Sequence, residues 1–247
     1  MNKLQEELKN TARAGGADLF GVADLATASD FVRRQGGEHI AMFPRAISVG
    51  VRLLDAVVDE LFRHEEPSVI FTYRALYNSA NARLDAVTLL MAKKIQEMDF
   101  KGYPVPASQT VNSGRLEGAI SHKLVGNLSG LGWIGKSCLL ITPDHGPRVR
   151  LATILTDAPL ETGAPIANRC GDCRKCVDVC PVKAFTGITF NPSEPRDVRF
   201  RAGLCKQYSD HREQLLGEGL CGLCVYVCPY GVTRRSVEIS RTDQAGS

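Results

Sequence analysis

The chain has 247 residues, of which 44% are hydrophobic and 23% charged, and its formal net charge is +3. That balance excludes a collagen-like or disordered chain, and so small a positive excess leaves no electrostatic footprint for nucleic acid. The polar start Met1-Asn2-Lys3-Leu4-Gln5-Glu6-Glu7 lacks the apolar centre of a signal peptide, and no apolar run reaches the length of about 18 residues that suggests a membrane span.

Residues 3–14 read as an amphipathic helix with Leu4, Leu8 and Ala12 on one face, ended by Gly15-Gly16. A short buried strand follows at 19–23, then a glycine- and charge-rich loop at 33–39. Residues 47–51 alternate with period two and predict a second strand. Residues 53–63 are expected to be helical. The clearest helix is 79–98, where Ala80, Leu84, Val87, Met91, Ile95 and Met98 recur at helical spacing. Residues 103–116 predict a strand and loop, and 117–128 a helix. Strands at 137–142 and 149–156 are joined by Pro143-Asp144-His145-Gly146-Pro147, a turn composition. The expected class is α+β with a mostly antiparallel sheet. The expected domains are a cofactor- and substrate-binding core at 1–165, a cysteine-rich module at 166–232 and a polar tail at 233–247.

The cysteines carry the chemistry. None of the nine occurs in the first 137 residues, and eight lie from Cys170 to Cys228. A secreted fold spreads its cysteines through the structure it staples, so this clustering points to metal in a reducing, cytoplasmic setting. The run Cys170-Gly-Asp-Cys173-Arg-Lys-Cys176-Val-Asp-Val-Cys180-Pro181 is C-x2-C-x2-C-x3-C-P, the bacterial ferredoxin pattern. Cys221-Gly-Leu-Cys224-Val-Tyr-Val-Cys228-Pro229 has the last three members of the same run, and Cys205 is the candidate for the first. Three close cysteines place three thiolates on one iron–sulfur cube, and the fourth, before proline, crosses to the other. The expected sets are Cys170, Cys173, Cys176 and Cys228 for one 4Fe–4S cluster, and Cys180, Cys205, Cys221 and Cys224 for the second. Two zinc sites built from C-x2-C pairs would need no crossed fourth cysteine. The remaining Cys138 reads as a small core residue in a strand.

Gly130-Leu131-Gly132-Trp133-Ile134-Gly135-Lys136, followed by a hydrophobic strand, by Leu155-Thr156-Asp157-Ala158-Pro159-Leu160 and by the double cysteine motif, resembles the epoxyqueuosine reductase family, which is related to the corrinoid-containing reductive dehalogenases. Ala17-Asp18-Leu19-Phe20-Gly21-Val22-Ala23 is similar to that family's opening strand. The resemblance implies a nitroreductase-like core that binds cobalamin with its lower base displaced, and a ferredoxin-like module packed against it. Gly130, Gly132, Trp133, Gly135 and Lys136 are candidate cofactor contacts. Three glycines let backbone approach a large flat ligand or another strand closely, and Trp133 could stack on a macrocycle or fill the core. Ser113, Arg115 and Ser121 are candidates for the same pocket. The five histidines are scattered and read as surface or satisfied residues.

The family's proton-donating aspartate is expected to correspond to Asn78, in Tyr73-Arg74-Ala75-Leu76-Tyr77-Asn78-Ser79-Ala80. An amide cannot act as a general acid, so Tyr73 and Tyr77 become the candidate donors. The family's helical-repeat region is expected to be lacking. The resulting expectation is an iron–sulfur, cobalamin-dependent oxidoreductase that takes electrons from an external ferredoxin- or flavodoxin-type donor. They would pass to a corrinoid or small-molecule substrate, with neither nucleic acid nor membrane as partner. The rivals are a cobalamin-free electron-transfer protein, a flavin-binding reductase, and epoxyqueuosine reduction on tRNA itself.

Overall fold

A computed structural model describes residues 3–231; the expected polar tail at 233–247 lies outside them. Helix α1 (Lys3–Ala14) buries Leu4, Leu8 and Ala12, the face its sequence marks out. The sheet is formed by β1 (Leu19–Asp24), β2 (Arg45–Arg52), β3 (Gly102–Val105) and β6 (Val149–Thr156). Its order is β1-β2-β6-β3, and every pairing is antiparallel. The central strands β2 and β6 pair over their whole length, from Arg45 opposite Thr156 to Arg52 opposite Val149. β6 is buried at all but one position and β2 from Ala46 to Gly50, as central strands of a covered sheet are. A separate two-stranded hairpin is made by β4 (Trp133–Ile134) and β5 (Leu140–Ile141).

Between β1 and β2 lie α2 (Ser29–Gly36) and α3 (Glu38–Ala41), where the composition suggested a loop. Val32 and Ile40 anchor them in a second apolar cluster with Phe43 and Leu155. Gly37, at a φ of 84°, makes the break between them, a conformation that costs glycine little. After β2, the expected helix at 53–63 divides into α4 (Asp55–Val58) and a 3₁₀ turn over Asp59–Arg63.

Helix α5 (Pro67–Glu97) begins twelve residues before the expected start at 79, with proline at its N-terminus, where the missing amide hydrogen loses nothing. Its C-terminal half buries Leu84, Val87, Met91 and Ile95 against the sheet and α1. Each such side chain contributes roughly 1.5–3 kcal/mol. Its N-terminal half points elsewhere. Ile70, Tyr73 and Ala80 join Leu53, Val58, Leu61 and Val225, so this half of the helix packs on the cysteine-rich region. Helix α6 (His122–Leu128) is shorter than expected, because 112–117 closes in a bridge before it and Ser121 caps its first turn.

The cysteine-rich region carries α7 (Lys175–Asp178), α8 (Ala202–Leu216) and α9 (Leu223–Tyr226). It is fixed to the rest by polar ties as well as by the apolar cluster. Arg74 forms a two-point ion pair with Glu218. Arg212 donates to the carbonyls of His64 and Leu220. Arg148, 1% exposed, binds both Asp55 (3.0 Å) and Asp59 (2.6 Å) and lies against Gly231.

Candidate functional site

The eight clustered cysteines fold into two groups. Burial is the main reason the thiols of Cys176, Cys205, Cys221, Cys224 and Cys228 are held above the ordinary cysteine range, and neighbouring thiols add to it. Cys176 is pushed up to about 11 by burial and then by Cys228, Cys170 and Cys173. Cys228, also at about 11, is influenced by Cys170 and Cys173. Cys205 is raised by burial and then by Cys180 and Cys221. Cys224 is raised by burial and then by Cys221, Cys205, Cys176 and Cys180. By these influences Cys176 and Cys228 associate with Cys170 and Cys173, and Cys205 and Cys224 with Cys180 and Cys221, while Cys224 also feels Cys176. Val177, Ala184 and Phe185 pack around Cys176, Cys180 and Cys224.

Such a donor set suits iron–sulfur binding. Clusters bind thiolates, so their insertion must displace protons from these buried thiols. Among the described residues no group of three His, Cys, Asp or Glu converges at the distances of a single metal ion. A four-iron cube holds its thiolates further apart than one tetrahedral ion does.

The segment 130–138 serves the first cysteine group. Gly132 lies so close to the Ile141 carbonyl that a Cβ would come within 2.2 Å of it, which is why the hairpin closes only on glycine. Gly135 sits over Cys170, whose Sγ would be 3.5 Å from an added Cβ. Gly135, Lys136 and Ser137 line a small cavity with Cys170, Cys173, Cys176 and Cys228. The Lys136 ammonium donates to the carbonyls of Gly171 (2.6 Å) and Cys173 (3.2 Å). Asn168 bonds the Ile134 carbonyl and accepts from the Cys170 amide, both at 2.9 Å. Trp133, 1% exposed, meets Tyr230 edge-on at 4.7 Å, and its indole Nε1 has no hydrogen-bond partner. Gly130 packs against Ala164.

A second, much larger cavity of about 1070 Å³ opens on the other side of the hairpin. That is at the upper end for small-molecule sites. Its walls come from α2, from 107–124, from the hairpin, from β6 and from 190–203. Of the sequence candidates, Tyr77, Arg115 and Ser121 line it; Tyr73, Asn78, Ser113, Gly130, Gly132, Trp133, Gly135 and Lys136 do not. Asn78 and Ser113 are exposed. Tyr73 is buried against the second cysteine group, and burial, then Cys224, holds its hydroxyl above the usual phenol range.

Tyr77 faces the cavity, with Ser108 Oγ 3.3 Å from its hydroxyl and the Arg150 guanidinium 3.9 Å above its ring. Beside it His122 uses both ring nitrogens. The Pro106 carbonyl can only accept, so Nε2 carries the hydrogen (2.9 Å) and Nδ1 accepts from the Thr153 hydroxyl (2.8 Å). Burial pushes its pKa down to about 4, so this histidine is neutral near pH 7.

Cys138 also lines the cavity, and the strand expected over 137–142 is reduced to Leu140–Ile141. Cys138 turns the chain at a φ of 54°, and burial holds its thiol above the ordinary range against the opposing charges of Lys123, Arg199 and Arg196. Sequence reading missed Lys123, Arg150, Arg196 and Arg199 in this wall. Isolated basic residues carry no local pattern.

A 4Fe-4S double cluster binding domain matches residues 169–231. The epoxyqueuosine reductase of Bacillus subtilis (strain 168) is 34% identical over 117 residues, covering 45% of this chain and 29% of that protein. In sequence, the chain is similar to the epoxyqueuosine reductases. The matched stretch spans under a third of that relative's length. Solved structures extend the likeness to the fold. A reductive dehalogenase reported with a mechanism for B12-dependent dehalogenation has a TM-score of 0.67 at 18% identity, covering 97% of this chain and 33% of that one. An epoxyqueuosine reductase holding an epoxyqueuosine-modified tRNA-Tyr stem loop has a TM-score of 0.56 at 19% identity, covering 93% and 65%. That neighbour removes the ground for excluding nucleic acid as a partner: low net charge does not keep RNA from a local binding surface. No helix among the described residues is long and apolar enough to cross a membrane.

Proposed function

We propose that the chain is an iron–sulfur oxidoreductase of the epoxyqueuosine reductase and reductive dehalogenase type, with a core at 1–165 and a double-cluster module at 166–232. What carries the reading is the pair of four-cysteine groups beside a cavity of about 1070 Å³. Cys170, Cys173, Cys176 and Cys228 would hold one cluster; Cys180, Cys205, Cys221 and Cys224 would hold the other. The cavity would take cobalamin, a reading supported by its size and by the B12-dependent neighbour of the same fold. When bound, the clusters supply one-electron transfer from an external donor and cobalamin supplies a reducible, nucleophilic cobalt.

The chain's own residues position and protonate. The second group lies nearer the cavity, since Cys224 is close enough to influence Lys123, which lines that wall. The first lies under the 135–137 loop, with Cys173 exposed. Tyr77 is the proton donor of this reading: its hydroxyl faces the cavity, and Ser108 fixes its direction. Asn78 points away, and neutral His122 spends its one N–H on a backbone carbonyl. His122 therefore shapes the wall and leaves proton transfer to the tyrosine.

The test is anaerobic reconstitution with iron, sulfide and cobalamin. The expected result is about eight iron atoms per chain, four for each of two clusters, and a cobalamin spectrum that survives gel filtration. Full iron with no retained cobalamin would sink the cobalamin part; retained flavin in its place would support the rival cofactor. The neighbour with bound RNA gives a second reading, reduction of an epoxyqueuosine-containing tRNA, which turnover on that tRNA would support.

A further inference from the structure

One wall of the large cavity gathers positive charge that no close acidic side chain offsets among the described residues. Arg199 is 6% exposed. One of its terminal nitrogens donates to the Asn191 carbonyl (2.7 Å), and it lies over the Phe190 ring, but its Nε is buried with no hydrogen-bond partner. Arg196 is tied by its terminal nitrogens to the carbonyls of Arg115 and Leu116, and its Nε is likewise buried without a hydrogen bond. Lys123 lies in the same wall; among the described residues its ammonium has no ion pair or hydrogen bond, and burial, Arg196 and Arg150 all disfavour its charge.

The acidic groups of the cavity do not answer this charge. Glu117 is held by Arg115 at 3.2 Å. Asp197 is 84% exposed and reaches Arg196 only at 3.9 Å. Glu194 makes no ion pair among the described residues, and one of its own oxygens is buried without a partner. Buried cations without a counter-charge are expensive, and an oxyanion in the cavity is the charge that would offset them.

We propose that Lys123, Arg196 and Arg199 form an oxyanion-binding subsite in this wall, taking an ionised carboxylate or phosphate group of the molecule that fills the cavity. The inference rests on the cavity being the ligand chamber of the proposed reductase. Arg196 and Arg199 are held by backbone carbonyls of their own loop and of 115–116, so both guanidinium groups are in place before a ligand arrives. Cys138, which lines the same cavity within reach of the three charges, reports on it.

The experiment uses anaerobically cluster-loaded protein without cobalamin, titrated calorimetrically with inorganic phosphate and, separately, with benzoate. Saturable binding of at least one anion is expected. Arg199→Gln and Lys123→Gln should each weaken it about tenfold or more, since hydrogen bonds to charged groups are the strong ones. Arg13→Gln, in α1, should leave it unchanged. Saturating anion should also slow alkylation of Cys138 by iodoacetamide. Iron content guards against a folding defect in either variant. No saturable binding of either anion, or binding that survives both substitutions, overturns the subsite. Adding cobalamin separates the sources: loss of phosphate binding assigns the subsite to the corrinoid's own phosphate, and retention assigns it to a substrate group. Failure of cobalamin uptake with anion binding intact defeats the cofactor reading and leaves the subsite standing.

Discussion

Arg74→Met should loosen the junction between α5 and the cysteine-rich region by about 2 kcal/mol. Glu218 is 8% exposed in its side chain and Arg74 34%. Removing the guanidinium leaves a buried carboxylate with one remaining donor, the Leu220 amide at 2.9 Å. Breaking a fully buried pair costs about 3–5 kcal/mol; the exposure of Arg74 and the surviving amide bond reduce that by roughly half. For a chain of this size about 2 kcal/mol lowers the melting midpoint by roughly 4–8 °C. The assay is an anaerobic melt followed by fluorescence. Trp133 is the only tryptophan and meets Tyr230 of the cysteine-rich region, so its signal reports this junction. In a cycle with Glu218→Gln, the double variant should recover about 1 kcal/mol relative to the sum of the singles. Burial alone would raise the pKa of Glu218, but the bonds from Arg74 and Leu220 outweigh it and hold the carboxyl below its ordinary value. The ion pair's stabilisation is therefore complete above about pH 4.3, the unfolded value, and is lost as pH falls through the lower folded value. Equal melting of Arg74→Met and wild type, or strict additivity in the cycle, would refute the reasoning.

The crossed cysteine sets predict iron counts by pairs: Cys180→Ser with Cys205→Ser should leave about four irons per chain, whereas Cys180→Ser with Cys170→Ser should leave few, read by anaerobic iron analysis and EPR. Gly132→Ala should abolish soluble expression or cost at least about 2 kcal/mol, because its methyl group would meet the Ile141 carbonyl in the hairpin; normal yield and melting would contradict that contact. His122 is neutral in the fold at pH values where the unfolded chain takes up a proton, so stability should fall between about pH 6.5 and 4. His122→Gln should flatten that slope in acid-denaturation curves.

The double-cluster motif was legible because an iron–sulfur loop is a local object: its cysteines have two or three residues between them, and the prolines after Cys180 and Cys228 are what suggest the crossing. The sheet was legible for a similar reason, since period-two and buried runs mark strands wherever they pair. The N-terminal half of α5 was not. It lacks a continuous apolar stripe because Arg74 and Tyr77 serve an ion pair and a cavity there, and its apolar partners, Leu61 and Val225, lie on distant stretches. The cavity was illegible as a whole. Its wall brings Tyr77, Lys123, Arg150 and Arg199 together from four segments, and no spacing connects them. The 130–136 segment was readable as important but not as to what it touches: its glycines close on the hairpin and the first cysteine group, away from the larger chamber.

Lys136 ties the first ligand loop to the core. Its ammonium reaches from the hairpin to two carbonyls of the Cys170–Cys173 loop, and Asn168 clamps the same loop to Ile134. Part of the loop's shape is thus set by hydrogen bonds from the core and not by the thiols themselves. A zinc finger works the other way round, the ion itself organising the chain.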